Sequence, residues 1–417
     1  MAPDTQRRGP PELAQKGCLL EGLTEMLSRT PGDYVVLLHS DPDCANIVSR
    51  DAFAIDPGRF YCTNLGERDL ITGSSRARLR EAIAAILAVK RPRALLVIGS
   101  CVTSMIADDI AATVAEAAAD APAGTRLIAL PADAFRMVGQ AEILDLYTGF
   151  IAEYAEIPAP EDPRSVNIFG FPGDGGEAKT LLGRIGITAH VAPFLEPPAV
   201  VWNALPPGAL NVVPDARLFR RLLRRMEELR GTPFIEAAPA SGLAATERFH
   251  AAVAARFGLE KKMQGAIAKE RDAARKALAA FQRRLKGVRL AYHIGAGKSF
   301  NLETAVREGL LYAELFPEMG FAVELLFQGP VAEAHKAKIA ALLEFYGVRL
   351  PFVPLPDRPS VTAAIRERRY DLLYGSDSLR DEVAAAGIPL LPFGSMRPGF
   401  GGLVSNIRTL DMILGAR

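Results

Sequence analysis

The amino-acid sequence predicts an α/β protein whose strands form parallel sheets. Short apolar runs alternate with amphipathic helical segments along the 417 residues, and this alternation is typical of βαβ units. Hydrophobic residues make up 49% of the chain and charged residues 23%, so a large core can be buried. The alternation occurs in three similar stretches, and we expect domains at 1–160, 161–286 and 287–417.

In the first stretch, apolar runs predict strands at Tyr34–Leu38, Ala94–Ile98 and Leu127–Leu130. Between them, Ser75–Val89 has the periodicity of a helix with an Arg/Glu face. In an open parallel sheet the carboxyl ends of the strands line one crevice. We therefore expect residues that follow these strands to lie at one edge of the sheet.

The second and third stretches repeat the pattern. A strand from Ser165 precedes a Gly-rich turn at Pro172–Gly176, and Leu259–Leu285 predicts a long linker helix. The remaining predicted elements are helices at Glu177–Arg184, Leu218–Leu229 and about Ser405–Leu414, and strands at Ala199–Ala204, Val288–Ile294, Val323–Phe327, Phe352–Val353 and Leu372–Tyr374.

Charge and hydropathy exclude several classes of protein. The net charge is +1 and no long run of one sign occurs, so neither nucleic-acid binding nor membrane-surface binding is indicated. The N-terminal segment 1–15 is polar and lacks the apolar core of a signal peptide. No uncharged apolar stretch is long enough for a transmembrane helix. We expect a soluble, cytoplasmic protein.

The four cysteines all lie in the first quarter of the chain, at Cys18, Cys44, Cys62 and Cys101. Disulfides are a poor explanation in a large cytosolic protein, which leaves buried structural thiols or a metal site. Cys44 and Cys101 each follow a predicted strand closely, where cluster-binding thiolates are often placed. Cys18 begins a helical segment, whose N-terminus favours a thiolate. Spacing alone does not decide between the two interpretations.

Four segments resemble component 1 of nitrogenase and its relatives. They are Gly17-Cys18, LLHSDPDCANIV, YCTNLGERDLITGS and LLVIGSCVTSMIADDI. The motifs lie within the first 110 residues, apart from a strand–helix–strand unit that begins at Val288, whereas the domain plan covers nearly the whole chain. The resemblance implies three Rossmann-like, doubly wound parallel-sheet domains and an interface iron–sulfur cluster that is shared with a partner subunit.

The resemblance also assigns residues and partners. Cys18, Cys44 and Cys101 match the cluster ligands, and the cluster would be either an 8Fe–7S P-cluster-like or a 4Fe–4S type. The implied assembly is an α2β2 heterotetramer with a homologous α-type subunit, reduced by an ATP-dependent iron protein. Candidates for positions beside the ligands are Ser100, Ser104, His39 and Cys62. Asp108 and Asp109 are expected on a helix face, since carboxylates are poor cluster ligands beside thiolates.

Two features of the family's catalytic subunit are missing. That subunit holds a metallocofactor through a mid-chain cysteine and a late histidine. Here no cysteine follows Cys101, the last histidine is His335, and the glycine-rich stretch Gly394–Gly402 has none. The segment Gly295–Ser299 resembles the end of a nucleotide-binding P-loop. It lacks the first glycine of that motif, because Tyr292 stands at this position, so nucleotide hydrolysis is not favoured.

These observations favour an electron-relay subunit of a nitrogenase-like reductase, and the specific hypothesis is the β-type subunit of methylthio-alkane reductase. Alternatives within the family are the N-type subunit of dark-operative protochlorophyllide reductase and a cofactor-assembly scaffold. A further alternative is a metal-free α/β protein that binds a sugar or nucleotide.

Overall fold

The computed structural model describes residues 19–49, 57–130, 140–171, 174–192, 204–237, 241–285, 287–294, 312–328 and 349–415, with single positions at 337, 340, 341 and 344. Within these ranges the strands form three sheets in which every strand pairing is parallel. None of the helices described is long and apolar enough to cross a membrane.

The first sheet has the strand order β2-β1-β3-β4. Its elements are α1 Leu19–Arg29, β1 Tyr34–His39, α2 Pro42–Ser49, β2 Phe60–Cys62, α3 Glu67–Thr72, α4 Ser75–Val89, β3 Ala94–Gly99, α5 Cys101–Met105, α6 Ile110–Ala118, β4 Arg126–Leu130 and α7 Gln140–Tyr154. The chain leaves β1 toward one side to form β2 and then returns to form β3 on the other side. The boundary between β1 and β3 is therefore the switch point of this sheet, where open α/β sheets bind their ligands.

The second sheet has the order β6-β5-β7-β8. Its elements and the helices that follow are β5 Asp162–Phe169, α8 Gly176–Gly183, β6 Thr188–Ala192, β7 Gly208–Val213, α9 Arg220–Arg230, β8 Phe234–Glu236, α10 Gly242–Ala255 and α11 Glu260–Arg284.

The third sheet has the order β11-β10-β9-β12-β13. Its elements are β9 Arg289–Ile294, α12 Leu315–Met319, β10 Ala322–Gln328, β11 Phe352–Leu355, α13 Arg358–Glu367, β12 Leu372–Gly375, α14 Arg380–Ala385, β13 Leu390–Pro392 and α15 Gly399–Gly415. Each sheet repeats one doubly wound plan, so the predicted fold class is confirmed.

Two compact units are distinguished by their internal packing. One contains Cys18–Ala277 with Arg397–Asn406, and the other contains Leu278–Met396 with Ile407–Arg417. The first two sheets belong to the former unit and the third sheet to the latter. The three domain boundaries expected from the sequence stay a prediction.

The first sheet is buried on both faces, which explains why its strands read as continuous apolar runs. On one face, Val35 and Val97 pack with Leu79 and Ile83 of α4. On the other face, Tyr34 lies edge-on to Phe150 of α7, with ring centroids 4.9 Å apart. Central strands of this kind hold their carboxyl ends rigidly.

The predicted elements agree with the structure except at a few places. The C-terminal helix begins at Gly399, six residues before the predicted start. Its first main-chain N–H groups are satisfied by Glu177, whose carboxylate accepts hydrogen bonds from Phe400 N at 2.6 Å and Gly401 N at 2.7 Å. A distant carboxylate thus stabilises a glycine-rich helix start that local propensity disfavours.

Three strands of the second sheet, β6, β7 and β8, were not predicted. Of the strand predicted at Ala199–Ala204, residues 199–203 lie outside the described residues, and Ala204 forms an isolated parallel bridge with Glu156.

The start of β7 leaves no room for a side chain. A Cβ on Gly208 would lie 2.4 Å from Asn167 Oδ1, the atom that accepts a hydrogen bond from Gly208 N at 2.8 Å. We expect Gly208→Ala to lower the free energy of unfolding by about 2 kcal/mol or more, since overpacking and a broken buried hydrogen bond add. Urea denaturation measures this change.

The matched control is Gly265→Ala, in α11, where an added Cβ meets nothing within 4 Å. Its stability should be unchanged or slightly raised, because alanine is the better helix former. Equal stabilities of the two variants would contradict the packing argument.

Candidate functional site

The two described ligand candidates lie on either side of the switch point in the first sheet. His39 at the end of β1 pairs with Gly99 at the end of β3. Cys44 follows the first of these strand ends by five residues and Cys101 follows the second by two. Both thiols therefore belong to the carboxyl edge of the sheet, as the sequence predicted.

Cys18 lies outside the described residues. The helix α1 begins at the next position, Leu19, so the expectation that Cys18 precedes a helix is compatible with the chain that follows it. Its assignment as a ligand stays a prediction.

Cys44 lies in the first turn of α2 and is half-buried. Asp41 precedes this helix, and its Oδ1 accepts a hydrogen bond from Cys44 N at 2.9 Å. Ser40 Oγ donates to the other oxygen of Asp41 at 3.1 Å. The loop between β1 and α2 is thus held by its own polar side chains, which fixes the backbone that carries Cys44.

Cys101 is the first residue of α5 and is half-buried. The preceding Ser100 is fully buried, and its Oγ has no hydrogen-bond partner among the residues that the structure describes. The main-chain N–H of Ser100 does have a partner, because it donates to Thr103 Oγ1 at 2.8 Å. A buried hydroxyl without a partner normally costs free energy, so Ser100 Oγ next to Cys101 is suited to donate to a cluster sulfur.

Ser104, the other serine predicted beside Cys101, is half-buried within α5. Its main chain takes part in the helix, with Ser104 N donating to Ser100 O at 3.0 Å. Its hydroxyl is not among the buried side-chain groups without a partner in the described residues, so Ser100 is the better candidate for a donor to the cluster.

Cys62 ends β2 and belongs to the same edge, because it pairs with Leu38 of β1. Its Sγ is placed to donate to Ser40 O at 3.3 Å and accepts from Asn64 N at 3.3 Å. Burial raises the pKa of the Cys62 thiol. A thiol held by two main-chain groups and kept protonated fits the interpretation of Cys62 as a structural residue beside the site.

His39 is fully buried at the end of β1 and contacts two other segments of this edge. Its Nε2 lies 3.0 Å from Asp108 Oδ2, and its Nδ1 lies 3.0 Å from Thr63 Oγ1. Burial lowers the pKa of His39, while the hydrogen bond to Asp108 opposes this shift.

The expectation that Asp108 and Asp109 lie on a helix face is wrong for both, because they precede α6. The carboxylate of Asp108 turns inward to His39. Asp109 instead caps α6, accepting from Ala112 N at 2.9 Å. Thr63 and Asp108 were missed as partners of His39. The available signal was the Asp-Asp pair after Cys101, but a sequence does not show which carboxylate turns inward.

The donors at this edge fit an iron–sulfur cluster that needs further ligands from elsewhere. Within the described part of the chain, no three His, Cys, Asp or Glu side chains converge to hold one metal ion. Cys44 and Cys101 supply two soft sulfur donors, the type that iron–sulfur clusters require. Ser100 Oγ adds a hydrogen-bond donor. The residues Gly295–Ser299 of the incomplete P-loop motif lie outside the described residues.

Comparisons with known proteins agree with this geometry. The family model described as "Nitrogenase component 1 type Oxidoreductase" matches residues 28–396. The chain is 27% identical to the nitrogenase iron-molybdenum cofactor biosynthesis protein NifE of Nostoc sp., over 97% of this chain and 84% of that protein. It is 24% identical to the nitrogenase molybdenum-iron protein alpha chain of Methanosarcina barkeri, over 75% of this chain and 60% of that protein.

Among solved structures, the chain resembles the one titled "Nitrogenase Cp1 at pH 6.5". The TM-score is 0.68 at 16% identity, and the match covers 100% of this chain and 95% of that chain. This likeness supports the three-sheet fold.

Proposed function

Because the chain belongs to the nitrogenase component 1 type oxidoreductase family, we propose that it is the cluster-holding subunit of a scaffold that assembles a nitrogenase-type metallocofactor. The observation that carries this proposal is the similarity to NifE proteins, which extends over 97% of the chain in two of them. The similarity to an alpha chain supports an α-type position in the complex rather than the β-type expected from the sequence.

In this proposal Cys18, Cys44 and Cys101 hold an iron–sulfur cluster together with a homologous partner subunit. The cluster supplies low-potential electron transfer when bound, and this chain contributes sulfur ligands, burial and hydrogen bonds. The lack of a cysteine after Cys101 and of a histidine after His335 supports a chain that does not retain a catalytic metallocofactor. In a scaffold, such a cofactor would be bound transiently during assembly, with ligands that the partner subunit can supply.

A second candidate is the electron-relay subunit of a nitrogenase-like reductase. The description of the matching family model as an oxidoreductase favours it, and the three cysteine motifs would serve a relay cluster equally well. Methylthio-alkane reduction has no specific support among the relatives, so this candidate is kept at the level of the reductase class.

One experiment separates the two candidates. The chain is co-purified anaerobically with its homologous partner and tested in two assays. In the first, the complex is incubated with a cofactor-deficient nitrogenase component 1, whose activity is then measured. In the second, the complex receives an ATP-dependent iron protein and candidate substrates. A scaffold restores activity in the first assay and gives no turnover in the second. Turnover without restoration would contradict the scaffold proposal.

The surface beside Cys101 supports a partner at this edge. Met105 and Ile106 follow the cysteine and have exposed fractions of 69% and 37%. The helix α3, which follows β2 at the same edge of the sheet, has no fully buried residue, and its Ile71 is 83% exposed. Several exposed apolar side chains at one functional edge are typical of an interface.

We expect Met105→Asp to weaken association with the partner subunit by about tenfold or more, because a charge would be buried in an apolar contact. Analytical ultracentrifugation or biolayer interferometry measures the change. The matched control is Val89→Asp, whose side chain is 81% exposed on α4, just before the opposite edge of the sheet. Equal weakening by both variants would contradict an interface at Met105.

A further inference from the structure

A single buried histidine joins the three strand ends that surround the candidate site. His39 ends β1, Thr63 directly follows β2, and Asp108 lies seven residues after Cys101 in the segment that follows β3. The contacts from His39 to Thr63 and Asp108 are both 3.0 Å long. No other contact described at this edge links all three segments through one side chain.

The proton between His39 and Asp108 can be assigned from the chemistry of the two groups. The Asp108 carboxylate only accepts, so His39 Nε2–H donates to it. Burial lowers the pKa of His39, which favours the neutral ring. The Thr63 hydroxyl then has two acceptors within reach, His39 Nδ1 at 3.0 Å and Ser40 O at 3.2 Å. Thr63 Oγ1 in turn accepts from Ser40 N at 3.0 Å. Every member has a partner, as a rigid buried network requires.

The backbone beside Asp108 supports a positioning role. Ala107 has a φ of +52°, a left-handed conformation that a residue with a Cβ rarely adopts. The turn that contains it is closed by Asp108 N donating to Thr103 O at 3.0 Å. This geometry turns the Asp108 carboxylate back toward β1 and so ties the segment carrying Cys101 to the strand that precedes Cys44.

We propose that His39, through Asp108 and Thr63, is a positioning residue that fixes the Cys44 and Cys101 segments relative to each other for cluster binding. This inference rests on the proposed function of holding a cluster. Removing a residue that hydrogen-bonds to a metal ligand commonly weakens metal binding by about 10- to 100-fold. His39 acts one step further away, through the segments that carry the ligands.

The test uses the anaerobically purified complex with its partner. Iron release to a chelator is followed at pH 7.5, and the electron paramagnetic resonance spectrum of the reduced complex is recorded. We expect Asp108→Ala to speed iron release by about tenfold or more and to alter the spectrum. Asp108→Asn keeps an oxygen that accepts from His39 Nε2–H, so it should remain within about twofold of the wild type.

Two further variants complete the design. Asp109→Ala is the matched control, because the neighbouring carboxylate caps α6 and does not contact His39 in the described structure; it should release iron at the wild-type rate. Thr63→Val is nearly isosteric and removes the other partner of His39, so it also should speed iron release. This variant keeps the test decisive if Asp108→Ala does not fold.

The outcomes are distinct. A loaded wild-type complex whose Asp108→Ala and Thr63→Val variants keep the wild-type rate and spectrum would overturn this inference and leave the proposed function intact. A wild-type complex without iron and acid-labile sulfide would overturn the proposed function, and the inference with it.

Discussion

Replacing Cys101 by alanine is expected to reduce the iron and acid-labile sulfide of the purified complex to background. Cys101 starts α5 directly at the switch point of the first sheet, and its replacement removes the soft sulfur donor from this position. Loss of one thiolate from a shared cluster leaves an iron with an open coordination position, which exposes the cluster to loss. Cys18→Ala and Cys44→Ala should have the same effect.

Cys62→Ala is the control that the chain itself provides. Its thiol lies at the same edge but already contacts Ser40 O and Asn64 N, and burial raises its pKa. We expect this variant to keep the wild-type iron content and to lose only a small part of its stability. Equal iron loss at all four positions would refute the assignment of the ligands, whereas unchanged iron in the Cys101 variant would refute the cluster site.

The sequence was sufficient for the parts of this molecule that depend on local pattern. The strands around Tyr34 and Ala94 are buried on both faces, so they stand out as continuous apolar runs. Ser75–Val89 was predicted with the bounds that the structure has, because its periodicity is regular along the whole helix. Placing Cys44 and Cys101 at one edge required only that their strands be parallel neighbours.

The sequence was insufficient where a distant residue decides the local structure. Glu177 caps a helix more than 200 positions later in the chain, and no local signal shows this. The strand β7 contains Gly208 and a buried Asn211, and it was missed because Asn211 is stabilised by Asn167 of another strand. The inward turn of Asp108 to His39 likewise depends on the packing of three strand ends.

Acidification is expected to destabilise the third sheet through His293. This residue is fully buried in β9, and its Nε2 lies 3.1 Å from Gln328 Oε1, to which it donates when neutral. Its Nδ1 has no partner among the described residues. The pKa of His293 is lowered to about 4, chiefly by burial; the hydrogen bond to Gln328 opposes this shift and the nearby Arg358 charge adds to it.

The sign of the effect follows from proton uptake. Between the pKa of about 6.5 in the unfolded chain and about 4 in the folded protein, the unfolded state binds more protons. The stability contribution is therefore complete above pH 6.5 and is lost as the pH falls toward 4, by about 3 kcal/mol in total. His39 and His250, whose pKa values burial also lowers, add losses of the same sign.

The measurement is the free energy of unfolding from urea titrations at pH 7.5 and pH 5, with hydrogen exchange of the β9 and β10 amides as a local readout. In His293→Gln a neutral amide replaces the titrating ring, so the stability difference between the two pH values should shrink to the part due to the other buried histidines. Above pH 7, His293 is neutral in both the folded and the unfolded wild-type protein. In that range the free energy of unfolding should therefore depend on pH in nearly the same way in the variant and the wild type. An unchanged difference in His293→Gln would mean that this histidine is protonated without cost, and the neutral buried ring that donates to Gln328 would then be the wrong assignment.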